Sequence, residues 1–117
     1  MVLDKFVDIE IQGKTYKLCY PLKYVWMAER QLTDRNFMLL IGNAANDIPP
    51  NMSDIYVIFK YALMGGNPQL SEDKAEELFL AALDENNMIT LFEAALKALE
   101  KSGAMGKQKK AQAAPQA

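Results

Sequence analysis

Residues 7–20, VDIEIQGKTYKLCY, alternate apolar and polar side chains on both sides of a Gln-Gly pair. Val7, Ile9 and Ile11 fall on one face, Asp8 and Glu10 on the other, the period of two that marks a strand with one wet side. After Gln12-Gly13 the alternation resumes, with Tyr16, Leu18 and Tyr20 opposite Thr15, Lys17 and Cys19. This pattern predicts an antiparallel hairpin over 5–20, its acids paired across the strands with Lys14 and Lys17. A two-stranded hairpin is marginal in water, so the rest of the chain must supply a layer that covers one of its faces. No other feature constrains the fold as much.

The nearest candidate for that layer follows at once. Pro21 has no N–H to continue a ladder, and its fixed φ suits the first turn of a helix. Leu22, Val25, Trp26, Glu29 and Leu32 then keep helical spacing, which predicts a helix over 22–32 with Leu22, Val25 and Trp26 laid on the hairpin. A second helix is expected over 35–45, capped by Asp34, with Phe37, Leu40, Ile41 and Ala44 inward and Gly42 weakening it. The paired prolines of NDIPPN (46–51) fix a loop.

Ser53 or Asp54 is expected to cap a third helix over 54–64, with Ile55, Ile58, Phe59, Ala62 and Leu63 on its apolar stripe and GGNP (65–68) ending it. Ser71, followed by Glu72 and Asp73, gives the strongest start signal, for a helix over 72–84 that buries Ala75, Leu78, Phe79, Ala82 and Leu83. DENN (84–87) separates it from a fifth helix, 88–102, that presents Ile89, Phe92, Ala95, Leu96 and Leu99 and stops at Gly103. The expected fold class is α+β: a hairpin packed on four to five short helices, as one domain over 1–103. Ile9, Ile11, Leu18, Leu22, Val25, Trp26, Phe59 and Phe79 are its predicted core. Residues 104–117 hold no large aliphatic or aromatic side chain and read as a disordered polar tail.

Composition removes much chemistry. The 117 residues include no His and a single Cys, which leaves neither a Ser/His or Cys/His pair nor a zinc site. Cys19 reads as a small, semi-buried hydrophobe. Residues 1–103 carry 10 bases against 15 acids, a net of −5, the wrong sign for a nucleic-acid-binding body. The acids Glu72, Asp73, Glu76 and Glu77 sit where a helix N-terminus favours them. Asp84, Glu85, Asn86 and Asn87 lack the spacing of a calcium loop. No cofactor or small-molecule substrate is expected. Neither a membrane span nor a secretory signal is apparent, which makes the cytoplasm the default location. By elimination this is a binding or assembly protein.

The V-x-I-x-I-x-G-K-x-Y-x-L order of the hairpin, the Pro-Leu-Lys step and the helix KYVWMAERQL, followed by short helices, a late Ala/Leu/Glu-rich helix and a polar tail, resembles the tail assembly chaperones of long-tailed bacteriophages and prophages. As a residue pattern the resemblance covers 7–32; as an arrangement it covers nearly the whole chain. It implies a non-catalytic chaperone of the infected or lysogenic cytoplasm. Such a chaperone coats the tape-measure protein, helps recruit tail-tube subunits and is absent from the finished virion. It also implies a longer product made by ribosomal frameshifting near the end of the frame, for which Gly106-Lys107 is the candidate position.

A holder of a long, apolar-faced helical protein needs exposed apolar helix surface. The fifth helix is the expected partner-facing or self-associating face, through Met88, Ile89, Phe92, Leu96 and Leu99. Two alternatives stay open on sequence: a structural virion component, such as a head–tail connector or minor tail protein, and a small regulatory protein.

Overall fold

Gln12 and Gly13 both take positive φ, 53° and 78°, the two-residue type I′ turn whose twist matches that of the strands it joins. The computed structural model describes residues 5–103, and within them the turn joins β1 (Val7–Ile11) to β2 (Lys14–Leu18). The register is antiparallel, Val7 facing Leu18, Asp8 facing Lys17 and Ile9 facing Tyr16. Of the expected charge pairs, Lys17 meets Asp8 at 3.3 Å in solvent, where such a pair contributes less than about 1 kcal/mol. Lys14 instead lies over the Tyr16 ring. The turn is also held from outside: the Gln12 N–H donates to both oxygens of Glu85, at 3.0 and 3.2 Å. Glu85 thus has a structural partner 73 residues away.

Five helices follow: α1 (Leu22–Gln31), α2 (Phe37–Ala45), α3 (Met52–Gly66), α4 (Glu72–Leu83) and α5 (Met88–Ser102). The fold is α+β, a hairpin on a helical bundle, as the sequence predicts. Each start after α1 is capped by a side chain that accepts an N–H three residues on: Asn36 from Leu39, Asn51 from Asp54, Ser71 from Lys74 and Asn87 from Thr90. Two expected caps are therefore corrected. Asn36, not Asp34, starts α2, and Asn51, not Ser53 or Asp54, starts α3. Asp54 lies in the first turn of α3 and is buried, accepting from the Thr33 N–H at 2.9 Å and the Thr33 hydroxyl at 3.0 Å. It ties the α1–α2 turn to the third helix.

α3 is the hub. It packs on α1, α4, α5 and β2, and Ile55, Ile58, Phe59, Tyr61, Ala62 and Leu63 are all buried along it. The hairpin's covering layer is α3 with α4 and α5, not α1. The Cys19 N–H donates to the Ala62 carbonyl at 3.0 Å, and the Asn67 side-chain amide donates to the Lys17 carbonyl at 2.8 Å. The predicted core residues Ile11, Leu18, Val25, Phe59 and Phe79 are buried, and Ile9 is half-buried against them. Leu22 and Trp26 are not: they stand 51% and 56% exposed. α1 turns Val25 and Ala28 inward toward α3, with Leu32 buried just past its end, which points the 22–26 edge to solvent. The glycines of GGNP form the last turn of α3 and do not lie beyond it.

Two buried polar groups sit inside this hub. Lys60 is only 5% exposed, and its ammonium lies between the Tyr56 and Tyr61 rings, 5.0 and 4.8 Å from their centroids. It also reaches the Glu72 carboxylate and the Gln31 side-chain oxygen, each at 3.5 Å. One cation thereby links α1, α3 and α4. Tyr20 is wholly buried, and its hydroxyl donates to the Ile58 carbonyl at 2.6 Å.

Burial first, and the neighbouring Tyr61 second, push the Tyr20 phenol well above its ordinary value. The unfolded chain loses that proton near pH 10 while the folded protein keeps it, so the native state binds more protons and stability falls as pH rises. In denaturant titrations at stepped alkaline pH, the Tyr20 contribution should lower the unfolding free energy by about 1.4 kcal/mol per unit above pH ~10. The Tyr20→Phe protein should show a shallower fall. Equal slopes for the two proteins would refute this role.

Residues 1–4 and 104–117, including the candidate frameshift position Gly106-Lys107 and the polar tail, lie outside the described residues. Among the described residues no helix is long and apolar enough to cross a membrane.

Candidate partner-binding groove

The five expected partner-facing residues of α5 divide by their place on the helix. Leu99 is 1% exposed and Phe92 is buried, so Leu99 belongs to the core and is withdrawn from the candidate face. Met88 is half-buried. Ile89 is 44% exposed and Leu96 half-buried, and together with Phe92 they form an i, i+3, i+7 stripe along one side of the helix.

That stripe is one wall of an open groove of about 310 Å³, lined by Ile89, Phe92, Glu93 and Leu96 of α5 and by Ala44, Asp47 and Pro49 from the end of α2 and its loop. The floor and walls are mainly apolar; the two ionisable side chains on its lining, Asp47 and Glu93, are both acids.

The second wall is set by how α2 ends. The Ile48 N–H donates to the Asn43 carbonyl at 2.9 Å and the Asp47 N–H to the Ala44 carbonyl at 3.0 Å. Asp47 holds φ at 64°. This is a Schellman closure with the left-handed position held by an aspartate where glycine is the usual occupant. The backbone conformation is costlier for Asp than for Gly, and the side chain it keeps is a carboxylate on the groove. Ile48, next in the chain, is exposed, and Pro49 and Pro50 then fix the path away from α2.

The α5 wall was legible as a stripe of helical period. Ala44, Asp47 and Pro49 were not, because no periodic signal shows against which element a loop comes to rest.

The remaining candidates for chemistry resolve into structure. Asn87 caps α5 and the Asn86 side-chain amide donates to the Ala82 carbonyl at 3.2 Å. Glu85 holds the hairpin turn. Cys19 is buried, and burial raises its thiol above the usual range, which keeps it in the unreactive protonated form at neutral pH. Among the described residues no three His, Cys, Asp or Glu side chains gather as a metal site would require. A groove of this shape and lining can receive a row of apolar side chains.

No protein-family model, curated protein or solved structure matches the chain.

Proposed function

We propose that the protein is a tail assembly chaperone of a long-tailed phage or prophage, acting in the bacterial cytoplasm and not retained in the virion. It would hold apolar helical segments of the tape-measure protein and help bring in tail-tube subunits. The observation that carries this reading is the apolar groove between α5 and the α2 loop. Its Ile89–Phe92–Leu96 stripe offers the spacing that receives an amphipathic helix through anchors at i, i+3 or i+4, and i+7. Asp47 and Glu93 on the lining favour a helix whose apolar stripe is flanked by Lys or Arg. Further apolar side chains stand in solvent at Met38, Leu39, Ile48 and Met52, the kind of surface a holder of aggregation-prone helices needs. The hairpin-to-helix pattern of residues 7–32 supports the same family.

Co-expression tests it. The tape-measure protein of the same genome should become soluble with the wild-type chain and stay insoluble with Ile89→Glu, which places a charge on the groove wall at an exposed position. A binding loss of about thirtyfold or more is expected for this variant, the effect of removing a central anchor. Glu93→Lys, also exposed, should weaken binding less and flatten its salt dependence, because it cancels the attraction that salt screens. A tape-measure protein equally insoluble with and without the wild-type chain would overturn the proposal.

A further inference from the structure

The α1 edge that the fold leaves uncovered is basic, although the body as a whole is acidic. Lys23, Trp26 and Arg30 are exposed at i, i+3 and i+7, with Leu22 beside Trp26 one turn earlier. Neither Lys23 nor Arg30 makes an ion pair among the described residues. The one acid of α1, Glu29, is committed to the Phe37 N–H at 2.9 Å.

α4 offers the complement. Asp73, Glu76 and Leu80 are exposed at the same i, i+3, i+7 spacing, and Leu80 is 55% accessible. Glu72 is taken by Lys60 and Glu77 by Lys74, while Asp73 and Glu76 have no ion-pair partner among the described residues. Each row therefore spans eight residues of helix, about 10 Å. One row sets an indole between two bases, and the other sets two acids beside a leucine. Both are open in the same chain, so neither covers the other within it.

We infer that the α1 edge of one copy docks on the α4 edge of a second copy, Trp26 against Leu80, with the base on the acidic side of that contact (Lys23 if the two helices run parallel, Arg30 if antiparallel) against Asp73 and Glu76. Such a contact joins two different patches. It closes as a dimer when made twice about a two-fold axis, and otherwise builds a ring or an open chain. An anionic membrane is the other surface a basic, Trp-bearing edge could meet. The net charge of −5 over residues 1–103 opposes that encounter, and the acidic row on α4 supplies a partner without it. The docking uses none of the residues that line the α5 groove, and it stands or falls separately from tape-measure binding.

Trp26 is the only tryptophan of the chain, so its emission reports the contact directly. Sedimentation and fluorescence of the full chain should show concentration-dependent association with a blue shift, weakening as salt rises. Trp26→Ala should raise the dissociation constant about thirtyfold, and Leu80→Ala should raise it from the other side. Lys23→Glu/Arg30→Glu and Asp73→Lys/Glu76→Lys should each abolish self-association with circular dichroism unchanged. Mixing these two proteins should restore association, because each then meets the opposite charge on its neighbour. A wild-type monomer at high concentration would overturn the inference, as would association that survives both reversals or a mixture that stays monomeric. So would a blue shift seen only on vesicles of anionic phospholipid.

Discussion

Replacing Gly66 with alanine should cost the fold about 2–4 kcal/mol, even though alanine is the better helix former by roughly 1 kcal/mol. Gly65 and Gly66 lie in the last turn of α3, with β2 and the Cys19-Tyr20-Pro21 step running directly against them. A Cβ at Gly66 would enter the Lys17 carbonyl group, and one at Gly65 the Cys19 carbonyl and the Pro21 ring. The obstacles are backbone atoms and a proline ring, and they cannot swing aside as the end of a flexible side chain would. Relief requires β2 to lift from α3, which also loosens the Cys19–Ala62 and Asn67–Lys17 hydrogen bonds that hold the strand there.

The control is internal. Gly42 lies inside α2 with no atom within 4 Å of where a Cβ would sit, so Gly42→Ala should stabilise by about 0.5–1 kcal/mol. Urea unfolding of the three proteins should move the Gly66→Ala midpoint down and the Gly42→Ala midpoint up. A Gly66→Ala protein at least as stable as wild type would show that α3 and β2 do not approach as closely as described.

Gly65 and Gly66 were legible in the sequence only as a helix stop, and the difference shows what a one-dimensional pattern carries. Alternation about Gln12-Gly13 specified the hairpin, because turn chemistry and side-chain period are local. Ser71 with the acids after it specified the α4 start for the same reason. Asn36 and Asn51 were passed over because several residues competent to cap stood within three positions, and only packing selects among them. Trp26 was placed inside because it is large and apolar and keeps helical spacing with Leu22. The stripe that faces α3 is centred on Val25 and Ala28 and continues to Leu32, and an alanine contributes too little hydrophobicity to reveal where a stripe is centred. The hairpin's cover was assigned to its neighbour in sequence, whereas α3, α4 and α5, 34 to 95 residues further along, supply it. Along α5, period alone marked Ile89, Phe92 and Leu96, but it could not separate them from Leu99, which is buried. The opposite wall of the groove depends on where the loop after α2 comes to rest, a tertiary fact without a local signature.

Phe59 concentrates that tertiary information in one side chain, and Phe59→Ala should destabilise the protein by about 3–5 kcal/mol. The ring has no solvent exposure. It stands on α3, on which α1, α4, α5 and β2 all pack, with its centroid 5.6 Å from that of Phe79 on α4. Phe79 in turn lies 5.3 Å from Tyr56, so truncation leaves a cavity at the seam and removes one member of an aromatic row. The surroundings cannot collapse easily into the space. Tyr56 is held over the Lys60 ammonium, and Lys60 is tethered to Glu72 and Gln31. A rigid wall keeps a cavity open, and the cost per unit of lost volume is then at the upper end of the usual range. Phe59→Leu keeps most of the volume and should lose less than half as much.

A domain of about 100 residues has only about 5–15 kcal/mol in hand, so the alanine protein should unfold well below the wild-type temperature, by roughly 10–25 °C. A small shift for Phe59→Ala, comparable to that for Phe59→Leu, would mean that the α3–α4 seam repacks freely. The Lys60 bracket would then not be the rigid brace that its contacts describe.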